Sequence, residues 1–194
     1  MFSITFLAFE LVFTAVWLLA RLLVWIRQKR IIWKREAVLL LMYINLAVII
    51  RFVFFPRELI NGHIQPLVFD PQAVFPLRVN YIPFVNLFHF DNLRDIIWNV
   101  VGNTAIFIPS GIILPIVYKR LNGFGKVVAA GALISLCIEI LQLPFASRAT
   151  DIDDLIMNTL GVIIGYGIYT AIKSIKKKHD RNTITETDRG LAEE

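Results

Sequence analysis

DIIWNVVGNTAIFIPSGIILPIVY, residues 95–118, carries one charge, Asp95, at its edge. A helix needs about 20 apolar residues to cross the ~30 Å hydrocarbon layer of a bilayer, and this stretch supplies them. Its polar side chains are not scattered. Asn99, Gly102, Asn103, Ile106 and Ser110 step by three and four, which puts them on one helical stripe. An amide in hydrocarbon is costly unless it meets a partner or a water-lined cavity, so this stripe should face other protein. Pro109 and Pro115 each remove a backbone bond and, with Gly111 between them, predict a kink.

Working outward, four more runs have the same character: 2–26, 37–55, 125–145 and 153–173. The chain is 57% hydrophobic and only 18% charged, with a mean hydropathy of +0.65. Soluble domains are about 45–50% apolar and about 25% charged. The fold class expected is therefore an all-α membrane protein with about five transmembrane helices. The first run lacks a basic leader and a small-residue cleavage site, so it reads as a retained helix. The single cysteine, Cys137, lies in an apolar run and excludes a disulfide framework. The net charge of +5 does not point to nucleic acid, because the basic residues flank apolar runs, as in RQKRIIWKR and KSIKKKHDR.

Those flanks also set an expected orientation. Arg27, Lys29, Arg30, Lys34 and Arg35 fill the first connector, Lys119, Arg120 and Lys126 the third, and Lys173, Lys176, Lys177 and Lys178 follow the last span. Five spans put these regions on one side, cytoplasmic by the positive-inside rule, with the N-terminus outside and the C-terminus cytoplasmic. Arg21 and Arg51, near span ends, are placed to snorkel to the interface. The organisation expected is a first helix with its basic connector over 1–36, a four-helix unit over 37–173 with an external loop at 56–94, and a polar, disordered cytoplasmic tail over 174–194. The loop carries five prolines and several aromatics, suited to lying on the membrane interface or folding back into the bundle.

Two further stripes accompany the first. Gly131, Ser135, Glu139 and Gln142 form one in the fourth span, and Asp151, Asp154, Asn158, Gly161 and Gly165 form another in the fifth. Short connectors make these three helices antiparallel neighbours, and Gly161-x-x-x-Gly165 is a small-residue packing motif. Their polar members gather at the external end. The candidate binding cluster is Asn99, Asn103, Glu139, Gln142, Arg148, Asp151, Asp154 and Asn158, with Arg148 as counter-charge to the acids. Glu10 and Arg51 stay open as further members, and Asn45 is expected to make one interhelical hydrogen bond.

NYIPF (80–84), NVVGNTAIFIPSG (99–111), SLCIEILQL (135–143) and RATDIDDLIMNTLGVIIGYG (148–167) occur in an order and spacing that resemble the VanZ family of bacterial membrane proteins. The likeness covers roughly residues 37–173. Ser110 departs from it, standing where an apolar residue is expected. The resemblance implies a multi-pass cell-membrane protein, in a family named for a member linked to resistance to teicoplanin, a lipid-bearing glycopeptide. It implies no catalytic residues.

Three functions compete. A binding protein at the outer face would use Arg148 and amide donors on the headgroup of a membrane lipid, a lipid-linked cell-wall precursor or a lipoglycopeptide. An intramembrane enzyme could hold Mg²⁺ on Asp151, Asp153 and Asp154, or use Glu139 as a general base in its low-dielectric surroundings. The same D-I-D-D is equally a helix N-terminal cap, and His63 and His89 lack metal-ligand spacing. A transporter would need polar residues across the whole bilayer, and these occupy one half. The residues favour binding over catalysis, with no metal site and no cofactor expected.

Overall fold

The computed structural model describes residues 1–55, 59–75, 79–85, 92–146 and 148–192. Among them, five helices are long and apolar enough to span a membrane. Helix α1 is Phe6–Gln28, α2 Trp33–Ile49, α3 Leu93–Val117, α4 Phe124–Gln142 and α5 Ile152–Ala192. The chain is thus the all-α membrane protein the sequence predicts. His89, with residues 86–91, lies outside the described residues.

Local chemistry explains the helix ends. Thr5 caps α1, its Oγ1 accepting from the Ala8 N–H at 3.3 Å, and Lys29 closes it in a left-handed conformation (φ 51). Helix α2 begins at Trp33, several residues before its apolar run. The charge in that first turn is accommodated because Glu36 receives both Arg21 Nη2 (2.6 Å) and Nε (3.0 Å). Arg21 is therefore fixed to α2 instead of reaching for the interface alone. At its other end α2 passes into a single π-helical turn, Ile50–Phe54. Helix α5 runs past Lys173 to Ala192, where the sequence reading places a disordered tail. The lysine-rich stretch beyond 173 holds no proline, so nothing in it breaks the helical hydrogen-bond ladder.

Helix α3 packs chiefly on α5, with α4 against α5 and α2 against α3. Glycine makes the α3–α5 approach possible. A Cβ on Gly161 would overlap the Thr104 carbonyl oxygen, one on Gly165 the Ile108 carbonyl oxygen, and one on Gly111 the Val162 carbonyl oxygen. Helix α3 is continuous through Pro109 and Pro115. Beside Pro109, Asn45 Nδ2 donates to the Ile106 carbonyl at 3.2 Å and Asn45 Oδ1 accepts from Ser110 Oγ at 2.5 Å. Asn45 thus makes two interhelical bonds where one is expected, and Ser110 is what makes the second. Helix α1 buries no residue. It leans on α2 through Phe13 stacked on Tyr43, with ring centroids 5.4 Å apart, and through the Thr14–Tyr43 hydroxyl bond at 2.8 Å. Leu7, Leu11, Leu18 and Leu22 stay exposed, which suits a face toward lipid.

Short strands cap one end of the bundle. Strand β1 (Phe2–Ile4) pairs antiparallel with β4 (Leu67–Phe69). Strands β2 (Leu59–Ile60) and β3 (His63–Ile64) form a hairpin, and β5 (Val79–Asn80) runs parallel to β6 (Thr150–Asp151). Asn61 (φ 52) and Gly62 (φ 77) form the hairpin turn, and two positive φ values in a two-residue loop define a type I′ turn. Replacing Gly62 with valine should cost about 1–2 kcal/mol, the left-handed penalty for a side chain. The loss should be local, because a Cβ there meets nothing within 4 Å. A lowered thermal midpoint with unchanged aggregation state in detergent is the expected reading. On its far edge β4 bonds to the α4–α5 connector, with Asp70 N–H to the Pro144 carbonyl (2.8 Å) and Ala146 N–H to the Val68 carbonyl (2.9 Å). Phe54, Phe55, Leu67 and Phe145 are buried beneath this cap. The described parts of 56–94 therefore build a strand cap, where the sequence reading offers an interfacial or re-entrant segment.

Candidate functional site

The polar stripes of α3, α4 and α5 converge under the strand cap. Asn99, Asn103, Gln142, Arg148, Asp154 and Asn158 line one cavity of about 370 Å³, together with Phe52, Phe55 and Trp98. Each wall follows from the helical step. Asn99 and Asn103 share a face of α3, and Asp154 and Asn158 share a face of α5, one turn apart in each case. The two faces are joined by Asn103 Nδ2 donating to Asp154 Oδ1 at 2.5 Å, and α5 is tied to α4 by Asn158 Nδ2 donating to Ser135 Oγ at 2.9 Å.

The wall from α2 is backbone. A helix end leaves carbonyls without intrahelical donors, and here the π-turn presents them sideways. Gln142 Nε2 donates to the Val53 carbonyl and Arg148 Nε to the Phe54 carbonyl, each at 2.8 Å. The guanidinium therefore sits at the C-terminal, electronegative end of α2, where a cation is favoured. The sequence reading gives Arg148 acidic neighbours as partners, and the structure adds this carbonyl to them. No side-chain pattern shows which carbonyls a π-turn will release, so this bond has no signal in the sequence.

Glu139 and Asp151, the other two candidates, do not line the cavity; they brace it from behind. Glu139 is fully buried, its Oε2 accepting the Asp151 N–H at 3.1 Å while Thr150 Oγ1 donates to its carbonyl at 2.9 Å. Asp151 Oδ1 accepts from Asn80 Nδ2 and from the Asp153 N–H, both at 3.0 Å. Asp153 Oδ1 accepts the N–H of Phe84, a residue held at φ 67, at 2.7 Å. The aspartates thus cap α5 and fasten the connector, and among the described residues no three His, Cys, Asp or Glu side chains are grouped to hold a metal. Asn80 is a brace the candidate cluster omits, although it opens the NYIPF motif. Glu10 and Arg51 are not among the cavity's lining residues, and the Arg51 guanidinium lies over the rings of Phe6 (5.7 Å) and Phe52 (5.4 Å).

Two features give the cavity chemical character. Among the described residues, Gln142 Oε1 and Asn158 Oδ1 are buried acceptors with no hydrogen-bond partner, and leaving such a group unsatisfied costs about 1–3 kcal/mol. A second, almost wholly apolar groove of about 440 Å³ lies between α2 and α3. Leu41, Ile44, Val48, Pro109 and Ile113 line this groove, and it shares Ala105 and Ile106 with the cavity.

Five helices, each long and apolar enough to cross a bilayer, make this a multi-pass helical membrane protein, and residues of α3, α4, α5 and the end of α2 enclose its polar-lined cavity. Residues 38–173, well over half of the chain, match the VanZ/LLP1 family, and the chain belongs to it. It is similar to Protein VanZ of Enterococcus faecium, 42% identical over 78 residues that cover 40% of this chain. The match spans 45% of that protein, less than half its length. No solved structure matches the chain. The membership inferred from four motifs is confirmed over nearly the interval, roughly 37–173, that the resemblance covers.

Proposed function

We propose that this VanZ-like protein sits in the cell membrane with its capped end outward. There the cavity takes the polar head of a membrane-held amphiphile, a lipid-linked cell-wall precursor or a lipoglycopeptide of the teicoplanin type. Its contribution would be to antibiotic resistance or envelope homeostasis. The observation that supports this reading is that the cavity, lined by Asn99, Asn103, Gln142 and Arg148, and an apolar groove between α2 and α3 have Ala105 and Ile106 in common. A polar headgroup suits the amides that line the cavity, and Arg148 suits an anionic group. A hydrocarbon tail suits the groove.

Two substitutions test this without touching the bonded network. Ala105 is exposed and lines both the cavity and the groove, so Ala105→Phe would obstruct them; Asn99→Leu would fill the cavity with apolar bulk. Each should weaken tolerance of a lipid-bearing glycopeptide, and retention of labelled precursor by the purified chain, about tenfold, the effect of 1.4 kcal/mol. Protein yield should stay near that of the parent. Parental tolerance and retention in both variants would contradict the reading.

A further inference from the structure

The opposite end of the bundle holds a second concavity, which shares no lining residue with the first. Lys34 and Arg35 in the first turn of α2 meet Lys119 and Arg120, which form a single 3₁₀ turn directly after α3. Together they line a cleft of about 560 Å³ whose remaining walls include Val38, Ile116 and Val117. Residues 27–36 and 117–126 hold eight basic side chains against one acid, Glu36. That acid is already held by two hydrogen bonds from Arg21, at 2.6 and 3.0 Å. Among the described residues none of the four cleft cations forms an ion pair. Lys126 Nζ, which donates to the Arg120 carbonyl at 3.3 Å, steadies the turn that carries two of them.

Clustered charge alone would explain topology. Here four cations from two connectors converge on one concavity whose other walls are apolar. A hydrated soluble anion would gain nothing from Val38 and Val117, whereas a phospholipid presents a phosphodiester and hydrocarbon together. Guanidinium groups match phosphate oxygens in pairs, and the lysines add point charge. We propose that this cleft binds the headgroup of one anionic glycerophospholipid, with its acyl chains lying over Val38, Ile116 and Val117.

The full chain in neutral detergent, examined by native mass spectrometry, provides the test. Phosphatidylglycerol should be retained as a single adduct at least about tenfold more strongly than phosphatidylcholine. The double variant Arg35→Gln/Arg120→Gln should weaken it about thirtyfold, at the usual contribution of one basic residue near a membrane surface. If that variant lowers yield, Arg120→Gln alone, on the exposed turn, should weaken it about fivefold. Arg27→Gln/Arg30→Gln removes equal charge from the same connector outside the cleft and should leave retention close to parental. Inorganic phosphate in excess should not displace the lipid. Equal retention of both lipids, equal losses in the cleft and off-cleft variants, or displacement by phosphate would each overturn the proposal, the last by making this a soluble-anion site.

Discussion

Leucine at Gly161 or Gly165 is expected to leave no folded bundle. A Cβ at either position already overlaps a backbone carbonyl of α3, Thr104 or Ile108, and a carbonyl inside a helix cannot swing away without breaking the ladder. The helices must separate instead. Separation would pull Asn103 from Asp154 and Gly111 from Val162 along the same interface. Overpacking costs about 1–3 kcal/mol where neighbours can adjust. Here they are backbone, so the cost should exceed about 3 kcal/mol, a large part of the about 5–15 kcal/mol that holds a typical domain together. Gly167→Ala supplies the control, since a Cβ there meets nothing within 4 Å. It should be neutral or stabilise α5 by up to about 1 kcal/mol. Yield and thermal midpoint in detergent separate the outcomes, and a leucine variant melting like its parent would show that the α3–α5 approach is looser than described.

Arg148→Ala is expected to produce the second largest effect. Its Nε supplies the donor for the Phe54 carbonyl at the π-turn, and the substitution removes that donor along with the cation at the end of α2. A charge-assisted bond to a part-buried carbonyl should be worth about 3 kcal/mol once the orphaned acceptor is included. Arg148→Lys keeps the charge but not the fork, and should recover only part of the loss. Unfolding of the purified chain by denaturant checks both, and equal stability of the Ala variant and the parent would remove Arg148 from its bracing role. Binding should fall in the Lys variant by more than its stability does, because the same guanidinium faces the cavity.

The spans and the meeting of three polar stripes were legible because both rest on helical periodicity. Hydrophobic runs mark the spans, and Asn99/Asn103 and Asp154/Asn158 mark faces one turn apart. Gly161 and Gly165 announced the close helix pair for the same reason. Boundaries read less well. Hydropathy trims Trp33–Glu36 from α2, whereas the helix keeps those residues because Arg21 neutralises Glu36 across the interface. The cap is hard to read from sequence for two different reasons. Asn61-Gly62 is a strong hairpin signal in its own right, but Pro56 and Pro66 on either side break the strand pattern that should flank it. The β1–β4 and β5–β6 ladders, by contrast, are two or three residues long, too short for any alternation to appear. The π-turn that hands its carbonyls to Gln142 and Arg148 is a backbone event with no side-chain signature, so the position of Arg148 could be anticipated and its bond could not.

Asn103 of α3 and Asp154 of α5 face each other at one polar-lined cavity. With Cys137 replaced by serine, the pair Asn103→Cys/Asp154→Cys should be joined within one chain by a short bis-maleimide. The pair Val101→Cys/Asp154→Cys, with its first member on the exposed face of α3, should not. Efficient linkage of the first pair alone is the predicted result; linkage of both pairs alike, or of the second only, would contradict it.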